Sequence, residues 1–286
     1  MKCPDLKDLP APPDGRTGWP WTEQSQPPAA TMPDGTDWPR LTIITPSYNQ
    51  GQFLEETIRS VLLQGYPNLE YLVIDGGSSD TSIDIIKKYE PWLTYWESQK
   101  DEGQCHAINK GWQRAKPGIW AWINSDDIYN PGTFSKAVSA LKNGAQAPLV
   151  HATVDFIDEQ SRVVENMKYN TYPLPQGIEK MKFWINWPIP QPTVFFDSRL
   201  VEQYGYLDQR FHYSLDYEWL IRVSRRETFQ YIDENWATYR IHADSKTGDW
   251  NVNKDKFYRE CRRANWKNAG LLANIRLWLG ERLHKK

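Results

Sequence analysis

The sequence predicts an α/β fold in which a Rossmann-like, mostly parallel sheet is flanked by helices. From about residue 41 onward, short apolar strands alternate with amphipathic helices, which is typical of parallel βαβ units. Polar clusters follow several of these strands, as expected at the ligand-binding edge of such a sheet. The length of 286 residues suits one large domain with appendages.

The predicted elements follow one another closely in the first half of the sheet region. Each strand is a short apolar run, and each helix carries an apolar stripe. The expected order is strand 41–45, helix 53–63, strand 70–74, a helix ending at 89, strand 93–96, helix 105–114 and strand 119–123. The pattern loosens after Pro131, where we expect helix 133–142, strand 149–154 and helix 214–226.

The composition divides the chain into three parts. Residues 1–40 hold nine of the twenty prolines, and we expect an irregular leader laid over the main domain by Trp19, Trp21 and Trp38. The main domain spans 41–250, with halves at 41–130 and 131–250. Residues 251–286 predict a basic, amphipathic helical tail, with ten Lys or Arg against three acidic residues.

Charge and cysteine content limit the possible partners and compartments. The net charge of −2 gives no global field for nucleic acid, so we expect none. Three scattered cysteines predict no disulfide framework and no zinc site. The polar, proline-rich start is unlike a signal peptide, and we find no apolar run of membrane-spanning length. We therefore expect a cytoplasmic protein. The basic tail suggests peripheral contact with the inner face of the membrane, and packing against the main domain is the competing explanation.

Three polar clusters follow predicted strands. The first, Asn124-Ser125-Asp126-Asp127, could hold a divalent cation or could cap the next helix, and the tetrad alone does not decide. The second runs from Asp75 to Asp80, and the third from Asp101 to Gly111. Each could approach a nucleotide or ribose, or could simply start a helix.

Two later groups are also candidates. Asp216 and Glu218 lie two residues apart on a predicted helix, so they cannot share one face. We expect one to face a site and the other to face solvent or pair with Arg222. His242 could be a metal ligand, although taken alone it is better explained as a core histidine.

Taken in order, these motifs resemble the family 2 inverting glycosyltransferases of the GT-A fold, which make bacterial polysaccharides and cell-surface glycans. The resemblance runs from about residue 41 to residue 242. It implies transfer of a single sugar, with inversion, from a nucleotide-diphosphate sugar to an acceptor hydroxyl. The implied cofactor is a divalent cation, Mn²⁺ or Mg²⁺. The implied acceptor is a glycan or a lipid-linked glycan, and 41–130 and 131–250 become the nucleotide-binding and acceptor halves.

The resemblance also implies residue roles. Asp216 falls on the catalytic base, and Asp126 falls on the last acid of the DxD motif, with Asp127 and His242 as further metal ligands. The residues implied to bind the donor are Thr45, Pro46, Ser47, Tyr48, Asn49, Asp75, Asp101, Asn109, Asn124 and Ser125. The residues expected to contact the acceptor are Trp184, Trp187, Gln191 and Glu218. The sequence departs from the family pattern at Asn124, which replaces the first acid of DxD, and at Leu215, which replaces the usual Glu before the base.

Two other functions remain open at this point. A sugar nucleotidyltransferase shares the sheet and the metal, but the loop 46–52 lacks the basic residue that a triphosphate would need. A non-catalytic protein of the same fold could bind nucleotide or glycan, and the Asn124 and Leu215 departures favour it. The joint presence of Asp126, Asp216 and His242 favours an enzyme.

Overall fold

A computed structural model describes residues 3–143, 147–165, 167–168, 171, 173, 189–243, 245–246 and 250–268. Eight strands form one sheet, with bounds β1 Leu41–Ser47, β2 Leu69–Asp75, β3 Tyr95–Ser98, β4 Ile119–Trp122, β5 Ile128–Tyr129, β6 Leu149–Ile157, β7 Phe195–Asp197 and β8 Phe229–Arg240. Their order across the sheet is β3-β2-β1-β4-β7-β6-β8-β5.

The first half of the sheet is parallel. β1 pairs with β2 and with β4, and β2 pairs with β3, all in parallel register. β1 and β2 are buried along their whole length. Both faces of this part of the sheet are therefore covered, as is usual for parallel strands packed between helices. In the second half, β7 is antiparallel to both β4 and β6, while β6 and β8 run parallel. The predicted α/β class is therefore confirmed.

Helices cover the two faces of the sheet. Their bounds are α1 Gly51–Leu62, α2 Ser82–Tyr89, α3 Gln104–Arg114, α4 Thr133–Asn143, α5 Arg199–Tyr204, α6 Leu215–Ser224 and α7 Trp250–Asn268. Short 3-10 turns lie at Leu6–Asp8, Glu90–Trp92 and Gln191–Thr193. One core cluster packs α1, α2 and α4 on one face, and a second packs α3, α5 and α6 on the other. None of the helices described is long and apolar enough to cross a membrane.

The leader lies against the main domain. Trp21 and Trp38 are buried, and the Trp19 indole donates to the Tyr129 carbonyl oxygen at 2.8 Å. The buried Arg59 of α1 donates to the carbonyl oxygens of Pro10, Pro20 and Trp21 at 2.8–3.0 Å. A fully desolvated guanidinium needs such acceptors, so the leader supplies partners that α1 requires.

The tail begins as a helix packed on α6. Lys267 of α7 forms ion pairs with Asp208 and with Glu218, both at 2.7 Å, and Ala264 is buried between the helices. The described part of the tail thus follows the competing explanation, packing against the main domain. The apolar face predicted beyond residue 268 lies outside the described residues.

Candidate active site

The candidate site lies where three parallel strands end side by side. β2 ends at Asp75, β1 ends opposite it at Ser47, and β4 is followed by Asn124. Carboxyl ends of neighbouring parallel strands meet at one edge, which is where α/β sheets bind ligands. The polar clusters predicted from separate parts of the sequence therefore share one edge.

Asp126 and His242 meet at this edge although 116 residues separate them. Asp126 Oδ2 and His242 Nε2 lie 2.9 Å apart. His242 is nearly fully buried, and its ring packs on Phe53 with centroids 4.7 Å apart. His242 Nδ1 has no hydrogen-bond partner in the part of the chain that the structure describes. The two side chains thus form a fixed pair that presents one oxygen and one nitrogen ligand.

This pair fits a divalent cation of the Mg²⁺ or Mn²⁺ type. Adjacent ligands of an octahedral ion with bonds of about 2.1 Å lie about 3 Å apart, close to the separation of Asp126 and His242. Within the described ranges, no group of three or more His, Cys, Asp or Glu side chains could hold a metal. Mg²⁺ sites often have one or two protein ligands and complete the shell with phosphate and water. Asp126 and His242 could therefore hold such a cation with phosphate oxygens and water completing its shell.

Asp127 does not join this pair. Its carboxylate is buried and accepts from the Arg240 amide at 3.0 Å and from Asn124 Nδ2 at 3.2 Å. Burial and the neighbouring Asp126 raise the pKa of Asp127 well above its ordinary value. The expectation that Asp127 is a third metal ligand is corrected, because its oxygens hold Asn124 and the β8 backbone instead.

Arg240 supports the pair from behind. Its guanidinium is completely buried and donates to Glu56 Oε2 at 2.8 Å, to the Asp126 carbonyl oxygen at 2.9 Å and to Ser161 Oγ at 2.9 Å. It also lies over the ring of Phe53, 4.7 Å from the centroid, on which His242 packs. The buried Arg240–Glu56 ion pair therefore holds the backbone of Asp126 and the Phe53 ring on which His242 packs.

Asp75 is held within its own turn. Its carboxylate accepts from the amides of Gly77 and Ser78 at 3.0 and 2.8 Å, and from the hydroxyls of Ser78 and Ser98 at 2.5 and 2.7 Å. The side chain is fully buried. Asp75 therefore shapes the strand-end turn, and its role toward a base is left as a prediction.

The residues of the segment 45–49 differ in burial and in hydrogen bonding. Thr45 is buried, with its hydroxyl 3.1 Å from the Tyr71 hydroxyl, whereas Tyr48 is 61% exposed. Ser47 Oγ is buried and has no hydrogen-bond partner among the residues described. Asn49 has a positive φ of 51° and accepts from the Ser79 amide at 2.9 Å. Pro46 lies within β1. The available polar atom at the strand end is thus Ser47 Oγ, with Tyr48 as an exposed ring beside it.

Two residues of the third cluster have separate environments. Asp101 Oδ1 accepts from the Gly103 amide at 2.8 Å, and a Cβ at Gly76 would lie 3.1 Å from the same oxygen. Gly76 thus allows Asp101 to approach the β2 turn. Asn109 is buried and bonds both the carbonyl oxygen and the amide of Leu207, at 2.9 and 3.1 Å. The amide of Asn109 is therefore used in tying α3 to the α5–α6 loop.

Lys246 is a site residue that the sequence did not reveal. Its ammonium donates to Gln104 Oε1 and to the His212 carbonyl oxygen, both at 2.7 Å. Gln104 Nε2 in turn donates to Asn124 Oδ1 at 2.5 Å. Burial lowers the pKa of Lys246 to about 8, opposed by the nearby carboxylates of Asp216, Glu260 and Asp126. Both Asp216 and Asp126 therefore lie within electrostatic reach of one ammonium.

Asp216 lies in the first turn of α6, where helix amides favour a negative charge. Burial nevertheless raises the pKa of its carboxyl group, and Lys246 opposes that rise. A carboxylate with a raised pKa is a stronger proton acceptor than an ordinary surface aspartate. The arrangement suits Asp216 to general-base chemistry.

The predicted acceptor residues separate into three cases. Trp184 and Trp187 lie outside the described residues. Gln191 is buried near the strand end, where its Nε2 donates to the Trp122 carbonyl oxygen at 2.8 Å. Glu218 is fully buried between helices and pairs with Arg222 at 2.8 Å and Lys267 at 2.7 Å. The acceptor role of Glu218 is corrected, because this carboxylate joins α6 to α7.

Comparison with known proteins assigns this geometry to a family. A family model described as Glycosyl transferase family 2 matches residues 42–205. An uncharacterized glycosyltransferase of Mycobacterium tuberculosis is 30% identical over 192 residues, which are 66% of this chain and 70% of the relative. TuaG of Bacillus subtilis, named for teichuronic acid biosynthesis, is 35% identical over 112 residues, which are 37% of this chain and 44% of TuaG. Asp216 and His242 lie beyond the matched range, so their roles depend on the geometry above.

Solved structures show the same fold. TarS 1–349 of S. aureus in complex with UDP-GlcNAc has a TM-score of 0.63 at 16% identity, over 79% of this chain and 65% of that one. The mannosyltransferase PcManGT of Pyrobaculum calidifontis, in complex with GDP-Man and Mn²⁺, has a TM-score of 0.57 at 15% identity. That match covers 87% of this chain and 81% of PcManGT. At these identities the likeness shows the fold, and this chain spans about two thirds of the TarS fragment.

Proposed function

We propose that this chain, which belongs to glycosyl transferase family 2, transfers a single sugar from a nucleotide-diphosphate sugar to an acceptor hydroxyl with inversion. The observation that carries the proposal is the contact of Asp126 Oδ2 with His242 Nε2 at 2.9 Å, beside the edge where β1, β2 and β4 end. Asp126 and Asp216 both act electrostatically on Lys246, which is bonded through Gln104 to Asn124 at the same edge. A pair that could hold a metal and a half-buried carboxylate of raised pKa are the two parts that an inverting transferase needs.

The donor would lie across the ends of β1, β2 and β4. Ser47 Oγ offers a buried polar atom that lacks a partner among the residues described, and Tyr48 offers an exposed aromatic ring. Asp101 follows β3 and Asn124 follows β4, with the ends of β2 and β1 between them, and a ribose could be bound along this edge. Ser125 is buried between Asn124 and Asp126 and would contribute mainly through its backbone.

Asp216 would act as the base in one in-line displacement. The acceptor oxygen attacks the anomeric carbon while its proton passes to the Asp216 carboxylate. The bond from that carbon to the phosphate oxygen breaks, and the nucleoside diphosphate leaves with the electron pair. Attack on the face opposite the leaving group inverts the anomeric centre. Burial stabilises the protonated form of Asp216 that this transfer produces, in agreement with the raised pKa of the carboxyl group.

Asp126 and His242 would hold a divalent cation together with the donor diphosphate. PcManGT is described with GDP-Man and Mn²⁺, and TarS with UDP-GlcNAc, which supports both components for proteins of this fold. When bound, the cation would offset the negative charge that develops on the leaving diphosphate. Arg240 and Asp127 keep the ligand pair and Asn124 in place.

The biological setting follows from a relative and from the charge of the tail. Similarity to TuaG favours synthesis of a bacterial polysaccharide or cell-surface glycan, with Gln191 near the acceptor. A cytoplasmic location is proposed, and because α7 packs on α6, contact with the inner membrane face would depend on basic residues of 251–286 that this packing leaves free. Equal sedimentation with anionic vesicles by chains with and without 251–286 would exclude a role of the tail in that contact.

The proposed function is tested first by ligand binding. Thermal unfolding is measured across a panel of nucleotide sugars and nucleoside diphosphates with Mn²⁺, Mg²⁺ or EDTA, and donor hydrolysis is measured beside it. Ligands that bind the native state raise its stability, so one nucleotide should raise the melting temperature and lose that effect in EDTA. A ligand-dependent shift without hydrolysis or transfer would support a non-catalytic nucleotide-binding protein. No shift with any nucleotide would reject the transferase and leave glycan binding as the alternative.

A further inference from the structure

The tail helix reaches into the segment that precedes the proposed base. Glu260 lies on α7, 46–48 residues beyond the segment 212–214. Its carboxylate accepts from three successive backbone amides, those of His212 at 3.0 Å, Tyr213 at 2.7 Å and Ser214 at 3.0 Å. Three consecutive N–H groups directed at one carboxylate form a charge-assisted anion site, which is stronger than a set of neutral hydrogen bonds.

Glu260 holds the backbone that leads into α6. α6 begins at Leu215, and its N-cap residue Ser214 makes no side-chain capping bond to the helix. The first amides of a helix have no partner within it and need one from elsewhere. Glu260 of a different helix partners the first of these amides, that of the N-cap Ser214, and holds the two amides just before it. The Ser214 hydroxyl also lies 3.3 Å from the same carboxylate. The orientation of the first turn of α6, which carries Asp216, thus depends on α7.

A second contact holds the segment 212–214 and connects it to the proposed donor end of the site. The His212 carbonyl oxygen accepts from Lys246, which also bonds Gln104, and Gln104 bonds Asn124. The segment therefore has Glu260 on its amides and Lys246 on a carbonyl oxygen. A chain of hydrogen bonds leads from the proposed donor end of the site to the start of the base helix.

We propose that Glu260 is a positioning residue that sets the place of Asp216, so that α7 is a working part of the site. The inference rests on the proposed function, because the position of Asp216 matters only if Asp216 acts on an acceptor. A misplacement of about 1 Å in a reacting group can cost roughly a hundredfold in rate. Loss of the Glu260 contact should therefore lower kcat by roughly tenfold to a hundredfold, with the KM for donor changed less than about twofold.

The test compares Glu260→Gln and Glu260→Asp with a matched control. Glu260→Gln keeps the size but places an NH₂ group against amide donors, whereas Glu260→Asp keeps the charge on a shorter side chain. The control is Asp255→Asn, which removes an exposed acid from the same helix. The measurements are kcat and KM for donor, the melting temperature, and hydrogen exchange of the amides of residues 212–214.

We expect Glu260→Gln to lower kcat, to leave the KM for donor near the wild-type value and to speed exchange at 212–214. Glu260→Asp should recover part of kcat, and Asp255→Asn should match the wild type. The inference is overturned if Glu260→Gln keeps wild-type kcat, or if kcat and KM for donor worsen together with a lower melting temperature. A wild-type protein without turnover on any nucleotide sugar would reject the proposed function itself, and the positioning role with it, even if exchange at 212–214 changes.

Discussion

Replacing Arg240 by Met should destabilise the protein more than any surface charge change. The guanidinium and Glu56 are both buried, so the substitution leaves a carboxylate without its cation. Breaking a buried ion pair by removing one partner typically costs about 3–5 kcal/mol. For a domain of this size that loss lowers the melting temperature by roughly 10 °C. The substitution also removes the hydrogen bond from Arg240 to the Asp126 carbonyl oxygen. We therefore expect a smaller metal-dependent rise in the melting temperature as well.

The assay is urea unfolding of the two single variants and of the double variant Arg240→Met/Glu56→Met. Because the double variant removes both charges, it should recover about 1–3 kcal/mol relative to the sum of the single losses. The control is Arg162→Met, which breaks an ion pair with Asp158 whose arginine is 73% exposed. Such a surface pair is worth about 0–1 kcal/mol. An Arg240→Met loss no larger than the Arg162→Met loss would refute the reasoning.

Asp216, His151 and Gly111 each allow a specific test. Asp216→Asn should lower kcat by about 10²–10⁴ while nucleotide binding in thermal shift is retained, and full turnover would reject Asp216 as the base. Burial lowers the pKa of His151 to about 3. Below about pH 6.5 the unfolded chain therefore binds a proton on this histidine that the folded chain does not, and the free energy of unfolding falls as the pH is lowered further. At pH 5 this costs about 2 kcal/mol, and His151→Leu should remove that part of the acid dependence in urea unfolding. Gly111→Ala should destabilise by about 1–2 kcal/mol, because its Cβ would lie 2.7 Å from Ile44 Cγ2, and an unchanged urea midpoint would contradict that overlap.

Regular elements of the first half were predictable because their signals are local. Predicted strands 41–45 and 70–74 are found as Leu41–Ser47 and Leu69–Asp75, and the helix 105–114 as Gln104–Arg114. β8, in contrast, was not predicted. It carries acidic and amide residues at its centre, and its pairing with β6 contains register shifts, so no clean alternation exists along it.

The candidate site was only partly predictable for a different reason. Asp126 and His242 were chosen separately, but their contact depends on β8 returning beside β5 and β6. Glu218 was misassigned because helical spacing shows that Asp216 and Glu218 face different ways, yet it does not show which one faces the site. Lys246 and Glu260 carry no motif, since Glu260 bonds backbone amides that any sequence provides, and Lys246 bonds a backbone carbonyl oxygen and a side chain 142 residues away.

Arg59 is a core residue whose buried charge depends on the leader for its hydrogen-bond acceptors. Its buried guanidinium takes three acceptors from leader carbonyls and a fourth from the Tyr89 hydroxyl at 3.0 Å. A chain cut to begin at residue 41 would keep the cation and lose most of its acceptors. In relatives that lack such a leader, the position equivalent to Arg59 should therefore hold an apolar residue, and the two features should be gained and lost together during evolution.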